Sequence, residues 1–266
     1  MGSLSGKIHA GDRVFAIYAH GGSVPDNSGM AKGQALAVSG TCSLVFFILT
    51  RPAWLDFWSA YLNLGPGAAC FFRPAATWAA AVLWLGALPL WLSSGGVKSP
   101  FSFYQIKGKW RLDPYFARGH DGGGFGNFRI LFAAGAVSMA ASAWWAGQRL
   151  DFQGEYPLCR LAFSGLSVSL AYYAGYLVFY AAWEFFFRGF IQLSLAQSLG
   201  RYGAMAWQVL LSTLLHWGKP WPEFWGAVPG GIFFGLLALR TRSILAPLAL
   251  HFELGLLTDI FCARHG

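Results

Sequence analysis

Apolar residues in this chain come in runs too long for a strand and too unbroken for the half-wet face of a surface helix. They cover about 34–50, 68–93, 129–148, 163–199, 203–217, 224–239 and 243–262, separated by short connections that hold most of the charge. A helix needs roughly 20 apolar residues to cross the hydrocarbon of a bilayer, range about 17–25. By that measure 34–50 and 203–217 are short, and 163–199 is long enough to tilt, protrude or break. The pattern predicts an all-α, polytopic transmembrane helix bundle of about seven membrane helices, with six to eight as bounds. Three regions follow: a polar N-terminal tail over 1–33, N-terminal membrane helices over 34–160 with a basic, Gly-rich loop near 94–128, and a membrane core over 161–262.

Composition narrows the class further. Hydrophobic residues make up 56% of the 266 positions and charged residues 11%, against about 25% charged in a soluble domain. The net charge of +8 comes from 19 Lys and Arg scattered over the connections, whereas nucleic-acid binding needs them gathered on one soluble face. No nucleic-acid partner is expected, and membrane lipid is. With alternating spans, one side receives Lys7, Arg13, Lys32, Lys98, Lys107, Lys109, Arg111, Arg118, Arg129, Arg201, Arg240 and Arg242, and the other Arg51, Arg149, Arg160, Lys219 and Arg264. The basic side faces the cytoplasm. The expectation is an integral multi-pass protein of a bacterial inner (plasma) membrane, N-terminus inside. Residues 1–32 lack the apolar core of a signal peptide, so no removal is expected. Cys42, Cys70, Cys159 and Cys262 show no CxxC or Cys/His spacing and read as apolar fillers.

Ionisable side chains inside membrane helices cost a few kcal/mol and mark function by default. The second half holds Glu184, Arg188, His216, Glu223, His251, Glu253 and Asp259. Glu184 and Arg188 are four apart and share a helix face, so they can pair. If the helices are straight and start level, a rise of 1.5 Å per residue puts Glu184, His216, Glu223 and Asp259 about 22–26 Å from their cytoplasmic ends, in one layer, with His251 at about 14 Å. Lys219 lies between His216 and Glu223 in a turn punctuated by Pro220 and Pro222. Together these make a candidate polar pocket in the bundle.

The segments Trp183-Glu184-Phe185-Phe186-Phe187-Arg188-Gly189-Phe190, the His216 turn, and Leu245-Ala246-Pro247 leading to His251 resemble the CAAX prenyl protease and bacteriocin-processing (CPBP) family of intramembrane glutamic endopeptidases. That family carries a Glu-Glu-x-x-x-Arg helix, a Phe-x-x-x-His helix and a His-x-x-x-Asn type helix. The resemblance covers roughly 160–262 and aligns Glu184, Arg188, His216 and His251 with the second Glu, the Arg and the two His. Trp183 stands in place of the first Glu, which serves the family as general base; Ser212 replaces Phe, and Gly255 replaces Asn. These departures mark a divergent branch, with Glu223, Asp259 and Lys219 as additional pocket candidates.

What the resemblance implies is metal-independent hydrolysis of a peptide bond near the membrane surface. Glu184 and His216 activate water, His251 assists the oxyanion and Arg188 orients Glu184; with Trp183 in place, the base is Glu184 or Glu223. The implied partner is a peptide or protein substrate, either lipidated or a bacteriocin- or sorting-type precursor. Two histidines with carboxylates can also hold zinc, but no His-Glu-x-x-His helix is present, so no cofactor is expected. A non-catalytic scaffold or partner-binding relative is the alternative raised by Trp183 and Gly255. A small proton-linked transporter is the second, since intramembrane carboxylates and histidines also line ion paths.

Overall fold

The computed structural model of the protein describes residues 29–93, 125–241 and 243–266. Most of the polar tail (1–28) and most of the glycine-rich loop (94–124) lie outside the described residues, and their described margins, 29–33 and 125–128, are helical. Each of the seven apolar runs falls on a helix. In chain order these are α1 (Gly29–Leu49), α2 (Pro52–Tyr61), α3 (Pro66–Ala80, continued by a π-wound stretch Ala81–Ala87 and by Leu88–Ser93), α4 (Phe125–Gly147), α5 (Leu150–Glu155), α6 (Leu166–Glu184, continued π-wound over Phe185–Leu193), α7 (Ser194–Leu215), α8 (Trp221–Thr241) and α9 (Leu245–His265).

Backbone amides in hydrocarbon have no water to bond to, so an all-helical chain is one of two ways to cross it. By length and hydropathy five described helices qualify: Pro66–Trp91, Arg129–Gly147, Leu166–Gln192, Trp221–Thr241 and Leu245–His265. The bent pair Leu36–Leu49 and Pro52–Tyr61, turned by 52° at Arg51-Pro52, makes a sixth if it is one span. The 203–217 run is the second part of α7, beyond a kink at Gly200 whose φ of 71° lies in the left-handed region that glycine enters without strain. Leu44, Ile130, Val137, Leu170 and Leu236 point outward, as lipid-facing positions should.

Between helices in a membrane there is no hydrophobic drive, and close approach depends on small residues. Gly135 and Gly147 of α4 are such points. A methyl group on Gly135 would come within 2.8 Å of Leu250 and Phe233, and one on Gly147 within 2.5 Å of Phe261. Gly235 of α8 lets Gln192 donate to its own carbonyl oxygen at 2.8 Å, while Gln208 donates to Gly231 O at 2.9 Å. These amides fasten α6, α7 and α8 together in the core.

One expectation is overturned. Cys70, near the start of α3, and Cys159, just before a short 3₁₀ turn at Arg160–Phe163, form a disulfide across 89 positions of sequence. No local spacing announces a bridge between two residues that far apart; only the packing of α3 beside the start of α6 does. Cys42 and Cys262 are free and buried. Closing a loop of this size restricts the unfolded chain, with a typical effect of about 2–4 kcal/mol. Cys70→Ser or Cys159→Ser should therefore lower the thermal midpoint in non-reducing detergent, and wild type treated with reductant should unfold with the variants.

Candidate functional site

The fourth-residue rhythm on α6 sets up the site. Tyr172, Tyr176, Tyr180, Glu184, Arg188 and Gln192 recur at every fourth position, and all six are buried. That repeat draws one polar stripe along the helix. It faces the interior because an exposed stripe in lipid would leave each polar group unbonded.

Glu184 is the centre of the stripe and is fully buried. Its Oε1 accepts two hydrogen bonds. Arg188, one turn on, donates from Nη1 at 3.2 Å, and His251 of α9 donates from Nδ1 at 2.6 Å. The Arg188 guanidinium also lies over the Phe234 ring, 5.4 Å from its centroid, which adds a quadrupole attraction. Glu184 Oε2 has no protein partner among the described residues. An ionised carboxylate only accepts, so paired with the Arg188 guanidinium it takes its second hydrogen bond from His251 Nδ1. The second ring nitrogen, Nε2, is then the bare one, and the ring is 14% exposed.

Three aromatic rings hold that imidazole in place. Phe234 stacks on it at 5.1 Å, Tyr180 lies tilted against it at 4.5 Å and Trp183 meets it edge-on at 6.4 Å. Trp183 also touches His216, edge to face at 5.6 Å, so its buried indole stands beside both histidines. His216 Nδ1 lies 2.7 Å from the Ser212 carbonyl oxygen. A carbonyl only accepts, so this nitrogen is the donor and Nε2 of His216 is also bare.

The four residues expected in one layer, Glu184, His216, Glu223 and Asp259, each bond a partner outside that set. His251, expected lower, is the residue bonded to Glu184. Asp259 instead accepts from the Tyr172 hydroxyl at 3.3 Å. Tyr172 is twelve residues from Glu184, about 18 Å along α6 by helical rise. Glu223 accepts from the Tyr156 hydroxyl at 2.7 Å, and Lys219 pairs with Glu155. Equal residue counts give equal depth only for helices that are straight and level at their ends. α6 instead runs on as a π-wound stretch and into α7, which is kinked at Gly200, so residue counts from Arg201 do not convert directly to depth. Tyr156, between the spans, has its phenol pKa raised well above the ordinary value, by burial first and then by the Glu223 carboxylate. It stays neutral and able to donate.

The stripe Tyr172, Tyr176 and Tyr180 is the part that sequence reasoning passed over. Its signal was present in the spacing of four, but tyrosine in a membrane helix also reads as an interfacial anchor. Among the described residues no group of three or more His, Cys, Asp and Glu side chains is gathered as a metal site.

Residues 161–256 match the family model described as type II CAAX prenyl endopeptidase Rce1-like. The match includes Glu184, Arg188, His216, Lys219, Glu223 and His251 and ends before Asp259. No curated protein and no solved structure gives a significant match to the chain.

Removing one member of a buried ion pair strands the other, at a cost of about 3–5 kcal/mol. Glu184→Ala should show a loss of that size in denaturant unfolding in micelles. Adding Arg188→Met should restore much of it, since no unpaired guanidinium remains.

Proposed function

From residues 161–256, which belong to the type II CAAX prenyl endopeptidase Rce1-like family, we propose that the chain is an intramembrane, metal-independent endopeptidase whose water-activating base is His251, backed by Glu184. The observation that carries this reading is the 2.6 Å contact from His251 Nδ1 to a buried carboxylate that Arg188 also binds. A carboxylate on Nδ1 selects the tautomer, aims the ring and stabilises the imidazolium that forms when Nε2 takes a proton. This differs from the division of labour expected from the motifs, in which Glu184 and His216 activate water. Glu184 is wholly buried and spends Oε1 on two donors, which favours an orienting role. His216 offers a bare Nε2, but a carbonyl at its Nδ1 stabilises a cation less than a carboxylate does.

The reaction follows from these parts. His251 Nε2 takes a proton from water as the oxygen adds to the peptide carbonyl carbon. The same proton then passes to the departing amide nitrogen as the C–N bond breaks, releasing an acid and an amine. The substrate is a peptide or protein cut near the membrane surface, and a lipidated chain or a bacteriocin- or sorting-type precursor suits a site reached through lipid.

The proposed location is a bacterial inner (plasma) membrane with the N-terminus cytoplasmic. The Cys70–Cys159 bridge lies at the end that carries Arg51, Arg160 and Lys219. Disulfides persist in oxidising compartments, which supports this end as the outer one. Arg201 and Arg240, at the opposite end, obey the positive-inside rule. The proposed division of the chain remains a tail, an N-terminal helix set and a core over 161–262.

Trp183 favours a second reading, a non-catalytic scaffold, because an apolar indole fills the space beside both histidines. The two readings part on cleavage of a quenched-fluorescent peptide ending in a farnesylated cysteine and three further residues, with the protein in liposomes. The endopeptidase reading expects turnover to fall by about 10²–10⁴-fold in His251→Ala, the range for losing a general base. It expects a comparable loss in Glu184→Gln and a smaller one in His216→Ala. Turnover unchanged in folded His251→Ala would sink it, and no cleavage by wild type of this peptide or its unprenylated form would favour the scaffold.

A further inference from the structure

Gly255 sits one turn beyond His251 on the same face of α9, and the space its missing side chain leaves is occupied. A Cβ built on Gly255 would lie 2.1 Å from the Tyr180 hydroxyl oxygen and 2.8 Å from the ring carbon that bears it. The phenol therefore reaches across from α6, passes the imidazole with its ring 4.5 Å from the His251 ring, and ends in the notch that glycine opens. Any side chain at 255 would push it out. Tyr180 is itself one turn before Glu184, so the same helix face supplies both the carboxylate behind the base and a hydroxyl beside it.

A base that adds hydroxide to a carbonyl needs a donor for the negative charge that builds on the carbonyl oxygen. We propose that the Tyr180 hydroxyl is that donor, and that Gly255 is glycine to admit it. The inference rests on the endopeptidase reading above. The hydroxyl now pairs with Tyr176 at 3.1 Å, and Tyr176 is also buried. Two phenols at that separation can bond in either direction, since each hydroxyl is both donor and acceptor and only its hydrogen need rotate. When Tyr176 donates, the Tyr180 hydrogen is released to a substrate oxygen. Tyr180 then acts through a hydrogen bond alone: the charge that forms on the oxygen as water adds is shed again when the C–N bond breaks, and the phenol keeps its proton throughout.

The test is steady-state cleavage of the same farnesylated peptide by full-length protein in liposomes. Tyr180→Phe removes one oxygen, and its kcat should fall by about 10²–10³-fold with KM changed less than about threefold, the usual effect of losing one oxyanion donor. Gly255→Ala keeps the phenol but displaces it, and should lower kcat in the same direction; it decides the matter if Tyr180→Phe does not fold. The kcat of either folded variant within about twofold of wild type overturns the inference. His251→Ala, run alongside, separates the two levels. Cleavage lost there but kept in Tyr180→Phe removes only the role of Tyr180. Cleavage kept in His251→Ala, or absent from wild type, removes the endopeptidase reading and this inference with it.

Discussion

A carboxylate with no access to water sits at the middle of an apolar bundle, and much of the core is arranged around that fact. Burying an unpaired charge costs far more than any single packing contact returns. Glu184 is therefore matched by a guanidinium from its own helix and by an imidazole from the last helix of the chain. The pairing with Arg188 is local and needs only helical periodicity. The pairing with His251 spans 67 residues, so it exists only when α6 and α9 are side by side. Gly255 allows that approach on one side and Tyr180 fills it on the other.

Outside this centre, several polar side chains in the bundle tie helices together. Gln192 and Gln208 bond backbone carbonyls of α8, Tyr172 bonds Asp259 of α9, and Tyr156 bonds Glu223. In lipid such bonds take over part of what hydrophobic burial does in water. The disulfide works at the far end in the same sense, joining α3 to the chain entering α6. The result is a frame of inter-helix bonds around the Glu184–His251 contact.

Trp183 gives this bundle its individual character. At the position that aligns with the first glutamate of the Glu-Glu-x-x-x-Arg motif, an indole packs against Phe46, Phe179 and Phe187 and borders both histidine rings. A second carboxylate there would share the site with Glu184, and two like charges in one dry pocket shift each other toward the neutral form. With an indole instead, Glu184 is the one carboxylate among the described residues that bonds His251, and the arrangement is a carboxylate–histidine dyad.

By itself the sequence determined the class of the protein, the places of its helices and the Glu184–Arg188 pair. Each of these depends on local quantities: hydropathy summed over about 20 residues, or a separation of four on a helix. It also carried the order of motifs by which residues 161–256 resemble the family. What only the tertiary structure decided is how the helices stand relative to one another. The π-wound stretch after Glu184 and the kink at Gly200 mean that depth along α6 and α7 is not a simple count of residues. Glu184 meets His251, Asp259 meets Tyr172 and Cys70 meets Cys159 only through the packing of helices far apart in sequence. Contacts between residues distant in sequence depend on helix offsets of a few ångströms, and no periodicity in the chain encodes those.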